Sequence, residues 1–500
     1  MRTRTTPSAV IIGTGFGGLG MAMELLRHGF DDLVILERAS DVGGVWRENT
    51  YPGAGCDIPS PLYSYSYEPK SDWPKRFSGQ SDIHAYLRDV AHDNGLLARI
   101  RFESEVTEAE FDDASGTWTV RTADGYEVSA DVLISAVGQL SRPALPAIAG
   151  IGSFAGPAFH SAEWDHSVDL TGKRVAVVGT GASAIQFVPA IQPQVAALTL
   201  FQRSAAWVLP KPDVEYKSWH HRMFAAVPPV RLAERFAVWA LCEFLSLGIA
   251  DVPAIRGLVT RIAVNHLRKQ VADPQLRAKL TPDYAAGCKR GLFSNNYFPA
   301  LTQPNVRVET IEIAEITPTG VRTADGVLHE VDVIVYGTGF KGTEFLWPMK
   351  IRGANGRELE DEWQGGARAY HGMSVPGFPN MFMVYGPNTN LGVGSIVYMI
   401  ESQARYIRQA LRELSRKPAH TLDVRRAVAE EYDVRLQARL DRTPWGLCSS
   451  WYRNAAGRIT NNWPGPVVSY RLQTRTLRPE HYHRNPRTTT PPAVGPDRIR

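Results

Sequence analysis

Ala9-Val10-Ile11-Ile12-Gly13-Thr14-Gly15-Phe16-Gly17-Gly18 joins four apolar residues to a glycine loop. The chain continues with helical periodicity from Leu19 to His28, and a second strand-like run, Asp32 to Leu36, ends at Glu37. Strand, GxGxxG turn, helix and strand in that order predict a βαβ unit of a parallel sheet. The glycines permit the tight turn and let backbone come close to a pyrophosphate, whose charge the free N–H groups at the helix start can meet. Glu37 is placed to accept from a ribose 2′-hydroxyl.

The design recurs. Arg174 to Val178 reads as a strand, Gly179-Thr180-Gly181-Ala182-Ser183-Ala184 as the loop, Ile185 to Ile191 as the helix and Leu198 to Phe201 as the next strand. Glu37 and Arg203 stand at the same offset, 24 positions, from Gly13 and Gly179. A carboxylate suits a free ribose hydroxyl, whereas a guanidinium grips a 2′-phosphate with two parallel hydrogen bonds. The first unit therefore reads as an FAD site, with contacts from Gly13, Gly15, Phe16, Gly18, Glu37 and Arg38. The second reads as an NADPH site, with contacts from Gly179, Thr180, Gly181, Ser183, Ala184, Arg203 and Ser204. One such loop is weak evidence, but two, each between strand and helix, leave little room for chance.

A second echo pairs Ala130–Gly138 (ADVLISAVG) with Val331–Gly339 (VDVIVYGTG), each a buried strand returning to a nucleotide-binding sheet and ending in glycine. The expected fold is α/β, with two Rossmann-like domains, the second inserted in the first. Residues 1–140 and 325–474 form the FAD domain and 141–324 the NADP domain. A helical subdomain is expected at about 213–283, where Trp, Phe and Leu recur at helical spacing. Residues 475–500, rich in Pro, Arg and Thr, read as a wrapped or disordered tail.

Composition excludes several classes. The net charge is +4 and the basic residues are spread along 500 positions, so no nucleic-acid partner is expected. Cys56, Cys242, Cys288 and Cys448 lie far apart without a CxxC. That argues against a disulfide framework, a metal site and a redox dithiol, and fits a reducing cytoplasm. The apolar run near the N-terminus breaks at once into the glycine loop, so it reads as a strand rather than a signal peptide. Phe236 to Ala250 is shorter than the roughly 20 residues of a membrane span and contains Glu243, which predicts a buried or amphipathic helix. Peripheral membrane contact through the 213–283 helices stays open.

Between the loops lies Phe154-Ala155-Gly156-Pro157-Ala158-Phe159-His160-Ser161-Ala162-Glu163-Trp164-Asp165. With Gly43-Gly44-Val45-Trp46, Tyr51-Pro52-Gly53, Asp57 and Gly386-Pro387-Asn388-Thr389, this stretch resembles the fingerprints of type I Baeyer–Villiger monooxygenases, class B flavoprotein monooxygenases. The resemblance covers the chain to about Trp463. It implies that NADPH reduces FAD, that O2 adds to give a C4a-peroxyflavin, and that an apolar ketone or aldehyde becomes an ester or lactone. It assigns Arg290 and Asp57 to the catalytic centre, Lys289 to the nicotinamide cofactor's phosphate, and Gly44, Trp46, Tyr63 and Val106 to the flavin. His160 and Trp164 would sit in the linker between the domains and control how one turns over the other.

The chain departs from the family pattern at Ala184, where glycine is common, at Ser135-Ala136-Val137-Gly138, and in the 442–465 segment, which aligns poorly with the family's mobile loop. Two other readings remain at this stage: an S- or N-oxygenating monooxygenase acting on a thioether or amine, and an NADPH oxidase or reductase. Substrate identity and oligomeric state carry no motif.

Overall fold

A computed structural model describes residues 6–248, 252–446, 448, 452–454 and 456–488. Its first sheet runs Met381–Met383, Val132–Ser135, Ala9–Ile12, Leu33–Leu36, Ile100–Arg101 across the fold, all parallel. Helices cover one face, and the sheet of Lys350–Arg352, Val106–Asp112, Thr117–Thr122 and Glu127–Ala130 covers the other, so Ala9–Ile12, Leu33–Leu36 and Val132–Ser135 are buried at every position instead of alternating. The Phe16–Leu26 helix packs against Ile396–Arg416, whose strongly one-sided apolar pattern supplies much of the largest core.

The second sheet repeats the plan: Val306–Glu309, Ala197–Phe201, Arg174–Val178, Val333–Tyr336, Ala158–His160, again all parallel. Its fourth strand moves one expected boundary. Val333–Tyr336 pairs with Arg174–Val178, so the inserted domain runs past residue 324 to about 340, and 325–340 does not belong with the first sheet. The echo of 130–138 in 331–339 arises because each stretch is the return strand of its own sheet. The 154–165 stretch is also more than a linker, because Ala158–His160 is the second sheet's edge strand, with His160 opposite Tyr336. Gly156 is small for a reason: a Cβ there would stand 2.7 Å from the Asp332 carbonyl oxygen.

The two crossings between domains run side by side. Ala144 N donates to Gly339 O (2.9 Å) and Lys341 N to Arg142 O (2.9 Å), next to Gly138 and Gly339, both at positive φ. Helices Ser218–Ala226, Pro228–Ser246, Pro253–Gln270 and Pro274–Lys279 fill the 213–283 region. The Pro228–Ser246 helix is neither buried nor conventionally amphipathic, since Phe236 is 64% and Leu241 56% exposed. Among the described residues, no helix is long and apolar enough to cross a membrane.

The start of the C-terminal region is ordered. Tyr482–Pro486 pairs antiparallel with His420–Val424, and the buried Arg487 donates to Asp131 Oδ1 at 2.6 Å. The rest of the expected tail, 489–500, lies outside the described residues. The cysteine reading needs correction as well: Cys288 and Cys448, 160 residues apart, form a disulfide. Spacing could not reveal it, because the two meet only where the loop before Lys289 touches the segment after Leu440.

Candidate active site

A cleft of about 400 Å³ opens at the carboxyl ends of the first sheet, where open α/β sheets take their ligands. Ile12–Gly17, Leu36–Arg38, Gly43–Trp46, Asp57, Tyr63, Val106, Ala136–Gln139 and Arg290 all line it. The loop geometry suits a dinucleotide. Gly13 has φ +100°, and a Cβ there would sit 2.8 Å from Ala136 O; a Cβ on Gly18 would come within 1.8 Å of Gly13 O. Gly15 caps the helix without a side-chain hydrogen bond, which leaves the first-turn N–H groups for an anion. Gly44, at φ +54°, would bring a Cβ within 3.1 Å of Gly15 Cα, so two stretches of bare backbone face each other across the place a pyrophosphate would take.

Glu37 is pinned. Its Oε2 accepts from Thr14 N (2.9 Å) and Thr14 Oγ1 (2.5 Å), and its Oε1 from Ala39 N (2.9 Å). Those bonds lock the carboxylate at the end of its strand with further lone-pair capacity toward the cleft. Arg38 pairs with Glu48 at the rim. Trp46 Nε1 donates to Tyr63 OH (3.2 Å), and the Tyr63 ring meets both Trp46 and Phe16 edge-on. This aromatic corner can shape one wall of a planar ring site.

Arg290 and Asp57, 233 residues apart, meet in this cleft: Nη2 donates to Oδ1 at 2.8 Å, with side chains 34% and 21% exposed. Asp57 comes from the first domain's long loop and Arg290 from the second domain, beside the Leu292–Phe293 strand that pairs with Val208–Leu209. The carboxylate raises the guanidinium's pKa further, so the charge is permanent. Burial, then the neighbouring Asp57, pushes the adjacent Cys56 thiol up to about 12, which makes it an inert neutral group.

Sequence reasoning missed Tyr385, Asn390, Asn462 and Tyr452. Tyr385 OH donates to Asn390 Oδ1 (2.7 Å), and Asn390 Nδ2 to Asn462 Oδ1 (2.8 Å). Tyr385 holds φ +62°, an uncommon conformation for a bulky residue, just before Gly386-Pro387-Asn388-Thr389. Burial raises the hydroxyl pKa of both Tyr385 and Tyr452, against the lowering effect of the Arg290 charge, so both keep their protons. The GPNT motif was the one available signal for this corner.

The second set assembles away from the first cleft. Lys289 Nζ donates to Ser204 Oγ (2.6 Å) and Thr180 Oγ1 to Ser204 O (2.8 Å). Burial, then the nearby Arg203 charge, lowers the Lys289 pKa. Two cations held together without a dominant anion make a ready site for a phosphate dianion. Gly179, at φ +106°, would carry a Cβ 2.6 Å from Gly337 O. Ser183 caps the helix without using its side chain, and Ala184 is fully buried as its first residue.

The second helix also reaches the first domain. Gln186 accepts from Tyr51 OH (3.0 Å) and donates to Gly55 O (2.9 Å), while Ala182 and Gln186 both line the first cleft. Trp164 packs on Phe187 of that helix, and His166 Nε2 hydrogen-bonds Thr50 Oγ1 (2.8 Å). His160 is buried with Nδ1 accepting from Ala162 N (3.1 Å), and burial lowers its pKa, so it is a neutral packing residue.

Residues 7–224 match the Flavin-binding monooxygenase-like family. The chain is 46% identical over 470 residues to a Baeyer–Villiger monooxygenase of Streptomyces coelicolor, covering 93% of this chain and 90% of that one. Among solved structures it resembles an oxidized steroid monooxygenase bound to NADP, with TM-score 0.85, 31% identity, and 96% and 99% of the two chains covered. It also resembles OTEMO in complex with FAD and NADP, with TM-score 0.85, 26% identity and the same coverage. Sequence and architecture thus agree from end to end: the chain belongs to the Baeyer–Villiger monooxygenases.

Proposed function

We propose that this enzyme converts an apolar ketone to an ester or lactone, with FAD and NADPH as cofactors and Arg290 and Asp57 at the reacting centre. The balance is ketone, O2, NADPH and a proton giving ester, NADP+ and water. Bound FAD, reduced by NADPH, supplies the activated oxygen atom. The chain's own groups bind, orient and stabilise. Gly13, Gly15, Gly18 and Gly44 suit the flavin's pyrophosphate, and Glu37 its ribose. Arg203, Ser204, Thr180 and Lys289 suit the 2′-phosphate of NADPH, while Gly179, Gly181, Ser183 and Ala184 suit its pyrophosphate.

The observation that carries the reading is the 2.8 Å Arg290–Asp57 pair inside the flavin-type cleft. Oxygen insertion builds negative charge on the ketone oxygen, and a fixed guanidinium in a protected site stabilises it more than water can. Asp57 holds the guanidinium in place, and the neutral hydroxyls of Tyr385 and Tyr452 lie close to it without adding charge. The test is mass spectrometry after incubating FAD-loaded enzyme with NADPH, isotopically labelled O2, and a panel of ketones and thioethers. One labelled oxygen in an ester or lactone supports the proposal. Labelled sulfoxides with no ester, or labelled peroxide alone across the whole panel, refute it.

A further inference from the structure

The Pro228–Ser246 helix is turned inside out. Its solvent face carries Pro229, Leu232, Ala233, Phe236, Ala237, Leu241 and Phe244, with no charged side chain among the exposed positions over four turns. The four large residues are 48–64% exposed. Three of the helix's four charges are held inward: Glu234 accepts from Tyr216 OH (2.5 Å) and Arg76 (3.3 Å), Arg235 donates to Pro61 O (2.6 Å) and Ser64 O (3.0 Å), and Glu243 accepts from Val468 N (3.2 Å). A surface helix ordinarily does the reverse. Trp219, 52% exposed, and Leu258, 44%, extend the apolar surface onto neighbouring helices. A surface of this kind marks an interaction site.

Two observations choose the occupant. First, the stripe from Pro229 to Phe244 is about 22 Å long at 1.5 Å per residue, and at a width of about 10 Å it offers roughly 220 Å². A stable pair of proteins needs about 800 Å² from each partner. A lipid surface needs only an apolar helix face that sinks about 5–10 Å below the headgroups. Second, residues 217–270 contain eight Lys and Arg against three Asp and Glu; setting aside the inward-held Arg235, Glu234 and Glu243 leaves seven basic residues against one acid. Arg222 and Arg261 are exposed beside Trp219 and Leu258. Apolar side chains rimmed by arginine fit an anionic bilayer.

We propose that the Pro228–Ser246 helix docks this enzyme on the surface of an anionic membrane, with Leu232, Phe236, Leu241 and Phe244 buried in the interfacial layer and the flanking arginines on lipid phosphates. On its other side, Val238, Trp239 and Cys242 pack against the large first-domain core, on which the cleft residue Ile396 also packs. Docking would bring the cleft close to the bilayer.

The test is flotation of full-length, FAD-loaded protein with vesicles of phosphatidylcholine alone or of phosphatidylcholine and phosphatidylglycerol at 3:1, at low and high salt. Expected is flotation with the anionic vesicles, weakened by salt, and at least tenfold weaker partition for the double variant Phe236→Ser, Phe244→Ser. Retained flavin absorbance and circular dichroism establish that the variant is folded, as both positions are exposed. A second readout is a blue shift of tryptophan fluorescence on adding anionic vesicles, reduced in Trp219→Phe. No flotation of the wild type at low salt would overturn the proposal, as would equal flotation of the double variant. A concentration-dependent dimer abolished by the same variant, without vesicle binding, would overturn it in favour of self-association. None of these outcomes depends on oxygenase activity.

Discussion

Asp57→Asn isolates the group that holds the cleft's permanent cation. The substitution keeps the shape and removes one negative charge, so Arg290 loses a charge-assisted partner at 2.8 Å and keeps at most a neutral one. Removing one member of a fully buried pair costs about 3–5 kcal/mol, but these side chains are 34% and 21% exposed, and solvent screens part of the interaction. The better guide is about 1.5–3 kcal/mol for a hydrogen bond to a charged group. At about 1.4 kcal/mol per tenfold, ester formation should fall by roughly 10–150-fold. Flavin reduction by NADPH should change far less, because Arg203, Ser204 and Lys289 are untouched. The assay compares stopped-flow flavin reduction with ester formed per NADPH consumed. NADPH consumption persisting as peroxide release is the expected signature. If Asp57→Asn forms ester within threefold of the wild-type rate and yield, the positioning argument is wrong.

Further predictions address the other sites. Arg203→Ala should raise the KM for NADPH roughly 10–150-fold, the loss of about 1.5–3 kcal/mol of charge-assisted bonding, and leave NADH unchanged; an equal effect on both cofactors would remove the 2′-phosphate assignment. Gly18→Ala forces a methyl to 1.8 Å from Gly13 O, so the purified variant should lack flavin absorbance, and normal FAD content would contradict the loop geometry. Asp423, largely shielded and accepting from Gly377 N, has its pKa raised to about 6 by burial. Its folded form prefers the proton, so its contribution is full below pH 4 and is lost as pH rises through about 6. Asp423→Asn should therefore gain about 1–3 kcal/mol over wild type at pH 8 and almost nothing at pH 4, read from urea unfolding at both; an equal gain at both values would refute the titration. Reducing Cys288–Cys448, which spans 160 residues, should lower the unfolding midpoint by the equivalent of about 2–5 kcal/mol, and Cys448→Ser should show no further response to reductant.

The local devices could be read from the order of residues alone. Ala9–Ile12 and Arg174–Val178 form strands with the expected bounds, because a short apolar run ahead of a glycine turn has one good solution. The glycine positions were legible for the same reason: backbone at positive φ or within 3 Å of another chain segment excludes a side chain, whatever surrounds it. Glu37 and Arg203 were legible because the unit's internal offset carries them to the end of the second strand.

What lies between elements came from the assembled fold. Arg290 and Asp57 are 233 residues apart and no periodicity joins them; family resemblance named them, and domain docking makes them a pair. Tyr385, Asn390, Asn462 and Tyr452 left almost no trace, since each is an ordinary polar residue until a loop at positive φ and the C-terminal segment converge on the same cleft. The Cys288–Cys448 contact and the placement of Val333–Tyr336 in the second sheet followed from the same convergence. The Pro228–Ser246 helix makes the point most sharply. Its sequence fixes that one face is apolar, but which face meets solvent depends on where Tyr216, Arg76, Pro61 and Val468 wait for its charges, and that is a property of the assembled fold.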